Sequence, residues 1–421
     1  DTGNVAATVL SGIGATTGGV VTAANALTIT GTTEEITNAL VTESSLVVAS
    51  NGSAAVTFVG DNPTGAELAA INPKVSGTIT LADVTQVFTG TAAQMQAAFS
   101  GGIAGTQTGA VTISDTEGTI TATTLKAIGE QTDGVVTATG AITISGTTEQ
   151  VTDALVTESS LVVASNASAA VTLSDDPTGA QLALINPKVS GTITLNDTTQ
   201  NFAGTAAQLA AAFNGFGTNA LSGGITINAG AITAADLKTI SDATSGAITL
   251  PSTDFALEGS SAVIAAALSG NFAGYDGAIT LTDASPDPAN LKIINDASAG
   301  TITLNDNTAT FTASAAVMKA VFDGGLENTQ TGAVTISDTE GTIAATTLTD
   351  ITAQTNGTVT AAAAGITISG NTTQLTAALV TEETKAVVAN GAVSISDTGN
   401  VAATVLSGIG ATTGGVVTAA N

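Results

Sequence analysis

Residues 191–213 read GTITLNDTTQNFAGTAAQLAAAF, and this stretch contains one complete structural pattern. Its first five residues alternate between polar and apolar side chains. The alternation places Ile193 and Leu195 on one face of a short strand and two threonines on the other. We therefore expect a strand with one buried face and one solvated face.

A turn and a helix follow that strand. Asn196-Asp197-Thr198 has the composition of a turn, and a second short strand is predicted around Phe202. Thr205 and Gln208 have the spacing of a capping box, in which each side chain bonds the other residue's backbone N–H, at the start of an Ala-rich helix. The stretch thus predicts a strand–strand–helix repeat.

The same pattern recurs along the whole chain. Ala-rich segments with helical spacing are centred from Leu10 to Leu406, with 14 steps in 396 residues, or about 28 residues each. Longer copies recur too, since VTESSLVVASN occupies 41–51 and again 156–166. We predict an α/β tandem-repeat solenoid: about 14 stacked repeats, each with two short strands and a short Ala-rich helix, which together form an elongated rod.

A 25-residue sequence is present twice. DTGNVAATVLSGIGATTGGVVTAAN occupies 1–25 and returns unchanged at 397–421, after a period of 396 residues. We therefore interpret 1–421 as one continuous repeat array and as a segment of a longer array. Its expected partners are further repeats or further copies of itself, joined head to tail.

Two arrangements of the strands fit the pattern. In one, both strands of a repeat pair as a hairpin, so that two strand spacings of about 4.8 Å match one helix diameter. In the other, each coil adds one strand to each of several walls. We favour the hairpin. The repeat near 277–300 differs from the others, because Asp283 is followed almost directly by the next helix, and we predict that it lacks its second strand.

Composition limits the possible partners. The chain has 34 acidic residues and 7 basic ones, which are all Lys, and its net charge is −27. This charge repels nucleic acid and anionic lipid, so neither is an expected partner. No apolar run is long enough to cross a bilayer, and membrane insertion is not expected.

Composition also limits the chemistry. The chain has no His and no Cys, which excludes Ser-His-Asp and Cys-His catalysis and metal sites with thiolate or imidazole ligands. No pair of carboxylates is distinguished from the others for glycoside hydrolysis. We expect no enzymatic activity and no cofactor, with the reservation of calcium.

Several aspartates follow strands at comparable positions and are the candidate calcium ligands. Calcium needs six to eight oxygen atoms, and one Asp per repeat supplies few of them, so ordinary Asx turns are the simpler interpretation. The candidates are Asp115, Asp197, Asp306 and Asp338, with Asp83, Asp283 and Asp397 at similar places.

Threonine triplets raise a second possibility. Thr78-Ile-Thr80 and Thr192-Ile-Thr194 alternate as the threonines of a flat ice-binding face would, but other strands carry Ala or Ser instead. Solvated strand residues of high β-propensity are the simpler interpretation.

The recurring GxITLxD strands, the capped AxxLxAAF helices and the near-identical long copies resemble the giant repetitive cell-surface and secreted proteins of marine cyanobacteria. That group includes the very large surface protein linked to non-flagellar swimming. The resemblance covers the whole chain and rests on the overall pattern of these strands, helices and copies. It implies an extracellular or cell-surface protein that serves in coats, fibres, adhesion or motility.

We therefore predict a structural protein, a segment of an extracellular filament or giant surface fibre. A calcium-dependent adhesin stalk or surface-binding module is the alternative, followed by an ice-binding array.

Overall fold

The structure is a computed structural model. It describes residues 3–23, 26–42, 44, 47–49, 53–157, 162–164, 168–218, 220–272, 274–327, 329–381 and 386–419. Within these residues, short helices alternate with short strands along the whole chain.

Fifteen α-helices lie in this part of the chain, and none of them combines the length and the hydropathy that a membrane span requires. They are α1 Ala7–Thr16, α2 Thr33–Leu40, α3 Gly65–Ile71, α4 Ala92–Phe99, α5 Ala122–Gly129, α6 Thr148–Leu155, α7 Gly179–Ile185, α8 Ala206–Phe213, α9 Ala234–Ala243, α10 Ser261–Leu268, α11 Pro288–Ala297, α12 Ala315–Phe322, α13 Ala345–Gln354, α14 Thr372–Leu375 (which continues as a π-helical turn over Thr376–Val380) and α15 Ala403–Gly410. Turns of 3-10 helix over Asn72–Lys74 and Asn186–Lys188 extend α3 and α7.

The strands are two to six residues long. They are β1 Asn4–Ala6, β2 Val21–Thr22, β3 Thr28–Gly31, β4 Val47–Val48, β5 Ala55–Phe58, β6 Ile79–Thr80, β7 Phe88–Gly90, β8 Val111–Ile113, β9 Thr119–Thr121, β10 Val136–Ala138, β11 Thr143–Gly146, β12 Val162–Val163, β13 Ala170–Leu173, β14 Ile193–Thr194, β15 Phe202–Gly204, β16 Ile225–Ile227, β17 Ile248–Thr249, β18 Leu257–Gly259, β19 Ile279–Leu281, β20 Ile302–Thr303, β21 Phe311–Ala313, β22 Val334–Ile336, β23 Glu340–Ala344, β24 Val359–Thr360, β25 Gly365–Gly370, β26 Ala386–Val387, β27 Ala392–Ile395 and β28 Val417–Ala419.

Every strand pair among the described residues is parallel, so the hairpin arrangement is wrong. Paired residues lie 22 to 27 positions apart, as in Val171↔Ile193 and Ile29↔Val56, and each pair therefore joins two successive repeats. Parallel pairing needs a crossover connection of a dozen or more residues, and the helix between the paired strands supplies it. The strands form sheets of two to four members.

The sheets are short because two periods differ. Helices recur about every 28 residues, but paired strands are closer together in sequence. From one strand of a sheet to the next, the stretch of chain between the end of the strand and the start of the following helix therefore becomes longer. In the sheet β1-β3-β5-β6, β1 ends directly before α1, whereas β6 ends well ahead of α4. β7 lies next to the start of α4 and begins a new sheet there.

Neighbouring sheets overlap where one ends and the next begins. An isolated bridge between Ile79 and Ile103 extends the first sheet by one more partner. The new sheet pairs Phe88 with Val111 and so joins the same two repeats. Two separate sets of main-chain hydrogen bonds therefore connect these repeats.

The core lies between the strands and the helices. Ile120, Ile144 and Val171 stand beside one another on adjacent strands and are all buried, as are Leu125 and Val151 on the two helices that contact β11. The threonines of the Thr-Ile-Thr strands are more exposed than the isoleucines between them, as the alternation predicted. Burial of this apolar surface contributes roughly 25 cal/mol per Å².

The repeat near 277–300 lacks a second strand, as predicted. Two strands lie between most pairs of successive helices, but β19 alone lies among the described residues between α10 and α11. Likewise β16 alone lies among those between α8 and α9, which the sequence pattern did not indicate.

The chain divides into two compact bodies. One comprises Asp1–Gln200 with Ala211–Phe216, and the other Asn201–Ala210 with Gly217–Asn421. Both contain the same kind of repeated α/β structure.

Candidate functional site: contacts between repeats

The helices begin with local caps. Capping boxes are present at Thr32, Thr91, Thr147 and Asn371, with each side chain bonded to the backbone of the residue three positions on and the reciprocal bond also made. Thr205 and Gln208 make the same two bonds, at 3.3 and 3.1 Å. The Thr205 side chain thereby satisfies an amide group that the first turn of a helix leaves without a partner.

An aspartate from the next repeat satisfies a further amide. The Asp338 carboxylate accepts a hydrogen bond from the backbone N–H of Ala315, the first residue of α12, at 2.7 Å. A carboxylate at this position also interacts favourably with the positive end of the helix dipole. Six described aspartates make this contact with the preceding helix: Asp61, Asp115, Asp175, Asp283, Asp338 and Asp397.

Asparagine amides from the preceding repeat bind the other end of several helices. Asn72 is buried, and its Nδ2 donates to the carbonyl oxygens of Ala97 and Ala98 near the end of α4, at 2.8 and 3.0 Å. Asn295 contacts two carbonyls near the end of α12 in the same way. These amides satisfy carbonyls that have no partner within the helix.

Glycines leave room for these asparagines. A Cβ atom on Gly101 would lie 2.0 Å from Oδ1 of Asn72, and one on Gly324 would lie 1.9 Å from Cγ of Asn295. Real Cβ atoms do not approach other atoms so closely. These two positions therefore require glycine if the asparagine is to reach the helix.

Threonine hydroxyls form a third kind of contact. Oγ1 of the buried Thr132 donates to the Gly109 carbonyl at 3.1 Å and accepts from the Gly134 N–H at 2.9 Å. Thr244 makes the equivalent bonds to the Gly223 carbonyl and the Gly246 N–H, at 3.1 and 2.9 Å. Each hydroxyl thus joins the turn of its own repeat to the backbone of the preceding one.

The calcium candidates fall into two groups. Asp115 and Asp338 are helix caps, as described above. Asp197 and Asp306 each accept bonds from the hydroxyl and the N–H of the threonine two residues on. These hydrogen bonds lower the pKa of both carboxyl groups below the ordinary value of 3.8.

The aspartates that follow strands at comparable positions in the sequence therefore form two sets, which differ in their hydrogen-bond partners. Among the residues that the structure describes, no group of three or more acidic side chains could hold a metal ion. Sequence reasoning overlooked Asp61 and Asp175, which cap helices in the same way as Asp115. The available signal was their position, 28 and 27 residues after the first residue of the helix that each one caps.

A cavity of about 470 Å³ lies beside Asn186 in the first body. Its lining includes Pro187, Ile193, Asn214 and Phe216. The described residues around it are apolar or neutral polar, and none of them is charged.

The two copies of the 25-residue sequence have different neighbours. In the first copy, β1 pairs with β3 and β2 pairs with β4, and α1 packs against α2; all three partners follow the copy. In the second copy, β28 pairs with β27, and Oγ1 of Thr413 donates to the carbonyl of Gly391; both partners precede the copy.

The same strand of this sequence has a different partner in each copy. Val21 in β2 pairs with Val47, 26 residues later, whereas the equivalent Val417 in β28 pairs with Val393, 24 residues earlier. A strand can pair along both of its edges, so the two pairings are compatible with each other in one sheet.

The two copies also bury different residues of the same helix. Ala7 and Leu10 are buried in α1, whereas the equivalent Ala403 is exposed and Leu406 is half-buried in α15. Conversely, Ile409 is fully buried in α15. The helix thus has one face for the following repeat and another for the preceding repeat.

No protein-family model matches the chain, and no curated protein is significantly similar to it. The functional proposal therefore rests on these contacts.

Proposed function

We propose that this protein is a structural protein, a segment of an extracellular filament or surface fibre. Its repeats of about 28 residues would stack as a solenoid and form an elongated rod of about 14 repeats per 396-residue period. The residues that matter for such a function are those that join one repeat to the next.

One observation carries the proposal, namely the complementary contacts of the duplicated sequence. The 25-residue segment has a face for a preceding repeat and a face for a following repeat, and each copy uses one of them. A segment that lay between both neighbours would bury both faces. The array could then continue through this segment from one period into the next, as repeat arrays do.

The strands support the same continuation. If one segment kept the partner of Val417 and also gained the partner of Val21, its strand would lie between two others in one parallel sheet. The sheet β23-β25-β27-β28 would then continue into the strand that follows in the next period.

The charge supports a structure that is exposed to solvent along its length. With a net charge of −27, neighbouring fibres would repel one another, which opposes lateral aggregation. The resemblance to the giant surface proteins of marine cyanobacteria agrees with an extracellular location.

A chain of two periods tests the proposal. Residues 1–396 would be followed directly by residues 1–421, so that one 25-residue segment lies between both of its neighbours. We expect a continuous particle of about twice the length by electron microscopy, and slow amide exchange throughout the internal segment. Two particles joined by a flexible connection, with fast exchange in the internal segment, would contradict the proposal.

A further inference from the structure

The strand β14 has a free edge, and its residue Ile193 lines the cavity beside Asn186. We infer that edge and cavity form a binding slot for an extended, uncharged peptide segment of a partner protein, which would add one strand to the sheet beside β14. The slot comprises Ile193 and the cavity walls at Asn186, Asn214 and Phe216, all within the first body. The inference goes beyond the proposed function and does not depend on it.

Three strands that resemble β14 have a partner along the same edge. Like β14, each is a two-residue Ile-Thr strand at the end of its sheet. In β6, Ile79 donates its N–H to the Gly102 carbonyl at 2.8 Å, and its own carbonyl accepts from the N–H of Ala104 at 2.7 Å. The partner is in each case the stretch that follows the next helix, centred on a large apolar residue. The three bridges are Ile79↔Ile103, Ile248↔Phe272 and Ile302↔Leu326.

The corresponding groups of β14 are unpaired. Ile193 lies beside Val171 along the other edge of the strand, where the Val171 N–H donates to the Thr192 carbonyl at 2.9 Å. Within the described part of the chain, no group bonds the N–H or the carbonyl of Ile193. Its side chain is half-buried, whereas that of Ile79 is completely buried. One donor and one acceptor are therefore available to an added strand.

The chain after α8 follows a different path from the chain after α4. A Cβ atom on Gly101 would lie 2.0 Å from Oδ1 of Asn72, but one on the equivalent Gly215 would have no neighbour within 4 Å. Gly215 also has a φ of +84°, in the left-handed region. The position of Ile103 is taken by Gly217, which has no side chain to cover Ile193. The repeat thus lacks the segment that fills this place in the other three.

The cavity would receive the side chain of the added strand. Its volume is about 470 Å³, and its walls come from β14 and from the stretch after α8, which supplies the partner in the other three repeats. Phe216 forms an apolar part of the wall and packs edge-on against the buried Phe213, with ring centroids 5.9 Å apart. No charged residue lines the cavity, so burial of a charged side chain there would be costly.

This arrangement matches a known mode of peptide recognition. In strand addition, main-chain hydrogen bonds supply affinity and pockets for alternate side chains supply specificity. The segment that fills the equivalent place beside Ile79 is Gly102-Ile103-Ala104. We therefore expect the partner segment to present one aliphatic side chain between small residues.

A peptide with the sequence of residues 101–105 tests the slot on the full chain. Acetylated and amidated Gly-Gly-Ile-Ala-Gly should shift the amide NMR signal of Ile193, which its loss in Ile193→Val identifies in protein labelled at isoleucine. The signal of Ile79 should not move, because its partner is already in place. With two hydrogen bonds and one buried side chain, we expect a dissociation constant of about 1 mM.

Gly-Gly-Ile-Pro-Gly is the matched control peptide. Proline removes the N–H that would donate to the Ile193 carbonyl, so this peptide should bind about tenfold more weakly. Phe216→Ala should also weaken binding of the first peptide, with the Ile79 signal as the check that the fold is retained.

Several results would overturn the inference. They are an Ile193 signal that the first peptide leaves unchanged, equal binding of the two peptides, and slow amide exchange of Ile193 in the free chain, which would mean that the edge is already paired. If the Ile193 signal shifted as the concentration of the free chain rose, the occupant would be a second copy and the assignment to a partner protein would be wrong.

Discussion

The carboxylate of Asp338 caps a helix that begins 23 residues earlier, through a 2.7 Å hydrogen bond to the backbone N–H of Ala315. The bond joins two successive repeats, since Asp338 follows β22 and Ala315 begins α12. One side chain therefore stabilises both a helix end and the contact between repeats.

Removal of this cap should weaken the preceding helix. We expect Asp338→Ala to lower the free energy of unfolding by about 1 kcal/mol and to speed amide exchange at Ala315. Urea unfolding and hydrogen exchange measure the two effects.

Asp323→Ala is the matched control for that cap. It removes the same charge at the other end of α12, where a carboxylate opposes the helix dipole. Its ion pair with Lys319 is exposed and contributes little to stability. Equal losses in the two variants would contradict a capping role for Asp338.

The contact of the buried Asn72 with its helix should depend on Gly101. We expect Gly101→Ala to destabilise the protein by about 1–3 kcal/mol, because the new Cβ displaces Asn72 and leaves helix carbonyls without partners. Gly102→Ala is the control, since its Cβ would have only one neighbour, Cγ2 of Thr78 at 3.7 Å. In the background of Asn72→Ala, Gly101→Ala should have little further effect, and additive losses would argue against the contact.

Tyr275, the single tyrosine, should ionise at a higher pH than an exposed tyrosine does. Burial raises the pKa of Tyr275 well above its ordinary value of 10.0. The fold therefore favours the neutral phenol, and this contribution to stability is fully present below pH 10.0 and is lost as the pH rises toward the higher pKa of the folded state. The chain has no Trp and one Tyr, so ultraviolet absorbance reports this residue directly. Ionisation near the ordinary pKa in the folded protein would show that the ring is accessible.

Assembly should depend on ionic strength. Copies with a net charge of −27 repel one another, and the screening length falls from about 30 Å at about 0.01 M salt to about 8 Å at about 0.15 M. We expect light scattering to show more assembly at the higher concentration. Sodium and calcium chloride at equal ionic strength should act alike if screening is the cause. A larger effect of calcium would favour the calcium-dependent alternative.

Local features of the fold could be predicted from the sequence. The capping boxes at Thr32 and Thr91 locate helix starts, because the two bonds involve residues only three positions apart. Alternation also identified the buried Ile79 and the exposed Thr80 on the same strand.

Contacts between repeats could not be predicted in the same way. The pairing of Val171 with Ile193 and the bond from Ala315 to Asp338 join residues more than twenty positions apart. Asp306 closes a turn with Thr308, two positions on, whereas Asp338 has no threonine at that spacing. The helix that Asp338 caps follows from where the chain returns after the crossover.

The overlap of successive sheets has a mechanical consequence. At the repeats joined by both Ile79↔Ile103 and Phe88↔Val111, a break that runs through one sheet meets a second sheet that is still intact. Two repeats joined in this way separate only after both sets of hydrogen bonds are broken. When one molecule is stretched, we therefore expect a series of small force drops, as one overlapping pair of sheets after another separates, and not a single rupture.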